Sequence, residues 1–184
     1  MADVTFVSSN PGKWPEVRDL LARDGVGCRW ARRVLSEPQA ESLEEVVRAK
    51  LDAVTGVRGY VLVEDSGLFI PSLGGFPGVY SAHFLKLWGF GPVYELLRHR
   101  DRAASFRTVA GLRSGRRHWT FAGEVRGRIA PRPAGTNGFG YDPIFIPDGW
   151  KRTFAQATAD EKNAVSHRAR AIRKVGRFLA RRSP

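Results

Sequence analysis

Short apolar runs alternate with amphipathic stretches along the first half of the chain. The run VTFV (4–7) predicts a buried strand. The stretch PEVRDLLARDG has the apolar spacing of a helix that begins at Pro15 and ends near Gly25. Residues 26–35 predict a second strand, and the run YVLV (60–63) predicts a core strand. Strands and helices that alternate in this way are typical of a parallel sheet.

A second helix is predicted over residues 42–56, between these two strands. Ser42 followed by Glu45 three residues later forms a capping box, which marks the start of a helix. The apolar side chains Leu43, Val46, Val47 and Leu51 then fall on one face.

The second half has a different pattern. The stretch FLKLWGFGPVYELLRHR predicts a helix that is broken around Gly89 and Gly91, and residues 104–129 alternate as an antiparallel meander does. Residues 160–182 predict one long helix. Its predicted core face consists of Val165, Ala169, Ile172, Val175 and Leu179. The whole pattern predicts an α/β or mixed α+β fold with a mixed sheet.

Composition narrows the class of protein. With 184 residues, 42% of them apolar, the chain suits one folded domain (1–184), or two closely joined lobes. We find no run of about 18 apolar residues, so no membrane span is expected. The N-terminal residues lack a signal-peptide pattern, and the single Cys28 excludes an internal disulfide. Both features favour the cytoplasm.

The charge is unevenly distributed. Residues 1–92 carry 10 basic and 11 acidic side chains, whereas residues 93–184 carry 20 and 7. A polyanionic ligand between an acidic half that holds metal and a basic half would explain the asymmetry. A solvated arginine-rich surface explains it equally well, and nucleic-acid binding also stays open.

The motif SSNPGK predicts an anion site. A strand, a tight glycine-containing loop, Lys13 and a helix N-terminus would present backbone N–H groups and a positive charge to phosphate. The motif differs from a Walker A loop, which needs Gly where Val7 stands. An ordinary strand-to-helix turn is the alternative.

The motif VEDSG places two carboxylates after the core strand. Adjacent strand residues point to opposite faces, so we expect only one of the two to face a site. Asp65 lies closer to the expected Ser66-Gly67 turn, and we assign it the functional role and Glu64 a structural one. Carboxylates suit Mg²⁺, and residues 36–45 offer a second one.

Two later segments carry further candidate chemistry. In residues 135–149, Phe139 and Tyr141 offer ring faces for a base beside Asp142, although a packed surface turn would have the same composition. In the last predicted helix, His167 and the arginine that follows could donate hydrogen bonds to a carbonyl oxygen.

Five motifs in this order resemble the inosine triphosphate pyrophosphatase family, and more closely its archaeal and eukaryotic branch. They are SSNPGK (8–13), VEDSGL (63–68), LGGFPGVYS (73–81), GTNGFGYDPIF (135–145) and TFAQATADEKNAVSHRARA (153–171). The resemblance spans nearly the whole chain. It implies a Mg²⁺-dependent hydrolase that converts ITP, dITP and XTP to the monophosphate and pyrophosphate. It also implies a homodimer whose subunits each have a bent mixed sheet, flanked by helices, in two lobes around a central cleft.

The resemblance also implies roles for individual residues. The triphosphate would be held by Ser8, Ser9, Asn10, Pro11, Gly12 and Lys13. Glu37 and Asp65 would bind Mg²⁺, Asp65 would accept the proton of the attacking water, and Ser66 would touch the substrate. The base pocket would comprise Phe139, Gly140, Tyr141, Asp142, Lys162, His167 and Arg168.

The chain departs from the family pattern at two places. Ser9 stands where the family has Gly, which could constrain the loop, and residues 36–50 match loosely, so Lys50 receives no role. A preference for pyrimidine or modified bases stays open. With this resemblance, nucleic-acid binding is not expected.

Overall fold

The computed structural model describes residues 3–182, which form one mixed β-sheet with helices on both faces. The strands are β1 (Asp3–Val7), β2 (Gly27–Ala31), β3 (Tyr60–Phe69), β4 (Pro77–Gly78), β5 (Ala103–Ser114), β6 (Arg117–Ile129) and β7 (Phe145–Pro147). Their order in the sheet is β2-β1-β3-β5-β6-β7, and β4 pairs with β3 beside this path. The expected mixed sheet is therefore confirmed.

Six α-helices accompany the sheet in this part of the chain. They are α1 (Lys13–Ala22), α2 (Leu43–Ala53), α3 (Ser81–Trp88), α4 (Gly91–Leu96), α5 (Ala159–Val165) and α6 (His167–Ala180), with short 3-10 turns at Pro71–Leu73, Asp142–Ile144 and Phe154–Gln156. Along β3, Leu62 packs with α1 and α6, whereas Val61 and Val63 pack with α2 on the other face.

Most predicted elements are confirmed. β1 pairs in parallel with β2 and β3, and β5 and β6 form the expected antiparallel pair. Helix α2 begins as predicted, because the Ser42 hydroxyl accepts a hydrogen bond from the Glu45 N–H. Helix α1 starts at Lys13, two residues before the predicted Pro15, because Gly12 already has helical dihedral angles.

The predicted turn after the core strand is wrong. β3 continues through Ser66 and Gly67 to Phe69, and β5 pairs with it over this whole length. Its other neighbour, β1, stops pairing at Leu62, and β4 pairs only from Leu68. Between these two points one edge of β3 is open, and the cleft described below lies beside this edge.

The single long helix predicted for residues 160–182 is also wrong. The chain leaves helical geometry at Ser166, whose φ of −62° and ψ of 157° are extended, and this residue separates α5 from α6. The Ser166 hydroxyl accepts a hydrogen bond from the Ala169 N–H and thereby caps α6. As a result, His167 and Arg168 stand at the start of a helix rather than in its middle.

The hydrophobic core divides along β3 and β5. Leu62 and Leu112 belong to the cluster around α1 and α6, and Leu68 and Phe106 belong to a second cluster around α3 and α4. Polar side chains stand in the middle of both strands, so a polar region separates the two apolar clusters. No helix within residues 3–182 is long and apolar enough to cross a membrane.

The close contact between α6 and β6 depends on Gly123. A Cβ atom there would collide with the His167 carbonyl oxygen and the Ala171 nitrogen of α6. We therefore expect Gly123→Ala to lower the free energy of unfolding by about 1–3 kcal/mol, as overpacking does. Gly91→Ala is the matched control, since its Cβ would meet nothing within 4 Å. Urea unfolding that gave equal losses for both variants would contradict the proposed contact.

Candidate active site

A cavity of about 450 Å³ lies beside the open edge of β3. Its walls come from the loop between β1 and α1, from β3, from the loop before β7 and from the ends of α5 and α6. The sequence-predicted residues that line it are Ser8, Ser9, Asn10, Lys13, Glu37, Asp65, Ser66, Phe139, Gly140, Tyr141, Asp142, Lys162, His167 and Arg168. Pro11 and Gly12 do not line it.

The loop after β1 is held in shape by its own side chains. The Asn10 side-chain oxygen accepts a hydrogen bond from the Gly12 N–H at 2.9 Å, and the Ser8 hydroxyl accepts one from the Asn10 N–H at 3.2 Å. Position 12 favours glycine, because a Cβ there would lie 2.7 Å from the Phe139 ring. The loop therefore packs against the 139–142 segment and presents Lys13 to the cavity.

The expectation that only one of the two carboxylates on β3 faces a site is wrong. Glu64 and Asp65 both line the cavity, which reaches both faces of β3 because this strand has no neighbour at that edge. Each carboxylate has its own cationic partners. Glu64 lies 2.6 Å from Lys13 Nζ and 3.6 Å from Arg168 Nε.

Glu64 is a fully buried anion among cations. Burial by itself would raise the pKa of its carboxyl, but the positive charges of Arg168 and Lys13 outweigh this effect and hold the pKa far below its ordinary value. The Ser66 hydroxyl also donates a hydrogen bond to Glu64 at 2.7 Å. Glu64 is therefore ionised, and it joins Lys13 at the start of α1 to Arg168 at the start of α6.

Asp65 has a different environment. Lys50 Nζ lies 2.6 Å from Asp65 Oδ1 and 2.7 Å from Glu37 Oε1, so one ammonium bridges the two carboxylates. Burial is the largest influence on Asp65 and raises the pKa of its carboxyl, although Lys13 and Lys50 oppose it. A carboxylate whose pKa is raised toward neutrality is better suited to accept a proton.

Lys50 is a site residue that the sequence reasoning left without a role. Its side chain is 8% exposed, and it follows Val46 and Val47 on the buried face of α2. A lysine on the apolar face of a helix needs a buried partner, and its position on that face could have identified Lys50 from the sequence. Burial lowers the pKa of Lys50, but Asp65 and Glu37 more than compensate, so the group stays charged.

The donor set around Lys50 fits a magnesium ion. Glu37 and Asp65 each bring a carboxylate oxygen to within 2.7 Å of the same ammonium, so both can approach one cation. Mg²⁺ prefers oxygen ligands and commonly takes one or two carboxylates together with substrate phosphates. The structure shows no cluster of three or more His, Cys, Asp or Glu side chains within residues 3–182, so other ligands would have to come from substrate and water.

Glu16, which the sequence reasoning also missed, does not itself line the cavity but holds two cations that do. Its two oxygens accept hydrogen bonds from Lys162 Nζ at 2.8 Å and from Arg168 Nη1 at 2.6 Å. Lys162 Nζ also donates to Asp142 Oδ2 at 2.6 Å. Burial raises the pKa of Glu16, but Arg168 and Lys162 overcome it and lower the pKa below the ordinary value.

The two aromatic residues expected beside a base differ in role. Phe139 faces the cavity, and its ring lies 4.9 Å from Lys162 Nζ and 5.3 Å from the Arg168 guanidinium carbon. Tyr141 lines the cavity but is 4% exposed, packs in the core, and donates a hydrogen bond from its hydroxyl to the Ser81 carbonyl. The geometry therefore leaves Phe139 as the better ring for stacking.

His167 is buried and stacks on Phe106, with ring centroids 4.5 Å apart. Burial, together with the charges of Arg168 and Lys162, lowers the pKa of His167 well below its ordinary value, so the imidazole is neutral. Within residues 3–182 its Nδ1 has no hydrogen-bond partner. A buried polar atom without a partner is costly, and a ligand in the cavity could supply one.

The fold and this cleft define an α/β protein with a mixed-charge site of nucleotide size. A sequence profile of the Ham1 family matches residues 4–178. The dITP/XTP pyrophosphatase of Thermococcus kodakarensis is 45% identical over 96% of both chains, and that of Pyrococcus horikoshii is 43% identical over 96% of both. The chain belongs to the Ham1 family, which confirms the family resemblance of the five motifs.

Solved structures agree with this assignment. The Ham1 protein of Staphylococcus aureus matches with a TM-score of 0.83 and 28% identity, and the HAM1 protein of Coxiella burnetii with 0.83 and 30%. Each comparison covers 98% of this chain and 100% of the other.

The neutral, buried state of His167 predicts a pH dependence of stability. The unfolded chain binds a proton at this residue near pH 6.5, and the folded chain does not, so this contribution to stability is lost as the pH falls below about 6.5. From pH 6.5 to 5.5 the loss approaches about 1 kcal/mol. Urea unfolding at several pH values gives the change of the free energy of unfolding with pH. We expect His167→Gln to lose the part of this change that His167 causes, whereas His99→Gln retains it. Identical slopes for the wild type and His167→Gln would contradict the assignment.

Proposed function

We propose that this chain hydrolyses non-standard purine nucleoside triphosphates, namely ITP, dITP and XTP, to the monophosphate and pyrophosphate. The observation that carries the proposal is a single cleft whose lining combines a cationic loop, two buried carboxylates and hydrogen-bond donors. Relatives that carry the name dITP/XTP pyrophosphatase and align over nearly the whole chain support the same substrates.

The triphosphate would lie against the loop between β1 and α1. Lys13 would pair with a phosphate oxygen, and the positive end of the α1 dipole would favour an anion there. The loop contacts through Ser8, Ser9 and Asn10 follow from their place in the cavity wall. Pro11 and Gly12 would then act on the shape of the loop rather than on the phosphates.

The carboxylates beside Lys50 would hold a magnesium ion. When bound by Glu37 and Asp65, Mg²⁺ would offset the phosphate charge and lower the pKa of a coordinated water. Asp65 would accept the proton from the attacking water, which its carboxylate can do once the pKa of that water is lowered. Lys13 would stabilise the charge that develops on the phosphate oxygens during attack.

The base would lie between Phe139 and the start of α6. Arg168 and, in the tautomer protonated at Nδ1, the neutral His167 would present N–H groups to a 6-oxo group, which hypoxanthine and xanthine have and adenine lacks. A 6-amino group would leave these buried donors without an acceptor, and sites of this kind discriminate by factors on the order of 10⁴. Lys162 and Asp142 would complete the pocket wall.

Two further properties belong to the proposal. A homodimer is supported by the exposed apolar side chains of Leu87 and Trp88 on α3, which are 54% and 57% exposed. A cytoplasmic location follows from the proposed substrates and suits the single Cys28, whose thiol would stay reduced there.

The direct test of the proposed function is pyrophosphate release from ITP, XTP, dITP, ATP, GTP and CTP, with Mg²⁺ and with EDTA. We expect rapid release from ITP, XTP and dITP, slow release from ATP and CTP, and loss of all release in EDTA. Guanine also has a 6-oxo group, so GTP tests whether the pocket makes a further distinction at the 2-amino group. Comparable rates on ATP or CTP would contradict the base preference. Undiminished rates in EDTA would contradict the proposed requirement for Mg²⁺ while leaving the hydrolase assignment intact.

Asp65→Asn tests the proposed base and metal ligand. The amide keeps the size of the side chain but neither accepts the proton nor offers a charged ligand, so we expect turnover of ITP to fall by about 10³-fold or more. Asp52→Asn, an exposed change on the same helix as Lys50, is the control and should retain full activity. Thermal unfolding would confirm that both variants fold. Turnover of Asp65→Asn within a few-fold of the wild type would rule out this role.

A further inference from the structure

Helix α6 carries a continuous row of cations on its outer side. Arg170, Arg173, Lys174 and Arg177 are spaced by three, one and three residues, which places them along one side of a helix. Helix α6 contains no acidic residue. Like charges at these spacings repel one another, so the row costs stability when nothing anionic lies against it.

None of the four cations forms an ion pair with a carboxylate in the described part of the chain. They donate to neutral carbonyl oxygens instead. Arg170 Nη1 donates to the Glu124 carbonyl at 2.7 Å, Lys174 Nζ to the Ala122 carbonyl at 2.6 Å, and Arg173 Nη2 to the Asn163 carbonyl at 2.8 Å. These bonds fix the side chains but leave their positive charge uncompensated.

The row lies along the free edge of β6. β7 pairs with β6 only from Gly127 onward, so the Ala122 and Glu124 carbonyls belong to an edge that no strand covers. Capping these carbonyls protects the edge, which is a structural role for Arg170 and Lys174. Edge protection requires N–H donors but not four unpaired charges, and Arg177 has no part in it: its Nε donates to the Arg173 carbonyl of its own helix.

A cavity of about 730 Å³ opens beside this row and is separate from the candidate active site. The two cavities share no lining residue. They take neighbouring residues of the same strands, Leu68 against Phe69 and Phe106 against Arg107, and adjacent strand residues face opposite ways.

The surface continues past the end of the row. A smaller cavity of about 370 Å³ shares Arg170 and Glu124 with the larger one and adds Arg126 and Trp150. The cations therefore follow an extended path rather than converging on one point. Within α6 they recur about once per helical turn, roughly every 5.4 Å.

This arrangement favours a long polyanion over a compact one. The opposite wall of the larger cavity carries Glu41 and Glu44, and Glu124 lies 3.4 Å from Arg107. A compact polyphosphate that filled the cavity would meet these carboxylates. An extended chain of phosphates that lay along α6 would contact the cations and avoid the acidic wall.

We propose that the row formed by Arg170, Arg173, Lys174 and Arg177 is a binding surface for the phosphodiester backbone of a nucleic-acid strand. Binding at this surface is independent of base sequence, because the four side chains provide only positive charge and N–H donors to phosphate. The surface is additional to the candidate active site, with which its cavity shares no lining residue, and does not depend on what that site hydrolyses.

The test measures binding of a fluorescein-labelled 20-nucleotide oligothymidylate by anisotropy between 50 and 200 mM salt. The test variant is Arg173→Gln/Lys174→Gln/Arg177→Gln, in which each glutamine keeps N–H donors but loses the charge. The matched control is Arg29→Gln/Arg48→Gln/Arg58→Gln, which removes the same charge from exposed sites elsewhere. Thermal unfolding and ITP hydrolysis are recorded for both variants and should equal the wild type.

We expect the test variant to bind the oligonucleotide roughly tenfold or more weakly at 50 mM salt. The slope of log affinity against log salt should fall by about 2, since each lost phosphate contact removes roughly 0.7. The control variant should bind as the wild type does, because its cations lie off the row. Arg173→Lys/Arg177→Lys should keep the slope, which separates the loss of charge from a failure to fold.

Three results would overturn the proposal. Equal weakening in the test and control variants would show that only the net charge matters. Displacement of the oligonucleotide by inorganic triphosphate as readily as by unlabelled oligonucleotide, at equal phosphate concentration, would show that the surface takes compact polyphosphates. Oligonucleotide binding that is absent at 50 mM salt would also contradict it.

Discussion

The buried carboxylate of Glu64 is the interaction on which the candidate site depends. An anion without solvent is strongly unfavourable unless cations and hydrogen bonds surround it, and here Lys13 and Arg168 supply the charge while Ser66 donates a hydrogen bond. These partners come from α1, α6 and β3 itself. Satisfying one buried charge therefore fixes three elements relative to one another around the cleft.

The same charges join the two ends of the cleft. From Glu64 the contacts pass through Arg168 to Glu16, and from Glu16 to Lys162 at the base end, so positive and negative groups alternate throughout. Removing one member of such a network leaves its neighbours buried and unpaired, and its effects are not additive. The phosphate loop and the proposed base pocket are thus parts of one electrostatic unit, whereas Asp65 has its own partner in Lys50.

Local pattern was enough to predict most elements, and the family resemblance most of the residues around the cleft, but neither predicted which charges pair. The break at Ser166 lies inside an apolar stripe that continues across it, so the sequence pattern gives no sign of it. The structure reveals Ser166 as the N-cap of α6, because its backbone is extended there. Glu16 and Lys50 were missed because the value of a buried charge depends on partners elsewhere in the chain, such as Arg168, which is 152 residues from Glu16. Both β3 carboxylates reach the cavity because the pairing with β1 ends at Leu62, and the local sequence does not show where that pairing ends.

The most direct measurement is the ratio of kcat/KM for ITP to that for ATP in Glu64→Gln, beside the exposed control Glu95→Gln. Glutamine preserves the shape but removes the charge that holds both Lys13 and Arg168. The account predicts that kcat/KM for ITP and its ratio to ATP both fall, each by about tenfold or more, because both ends of the cleft lose their common partner. A lower kcat/KM with an unchanged ratio would mean that the base end is organised independently of Glu64.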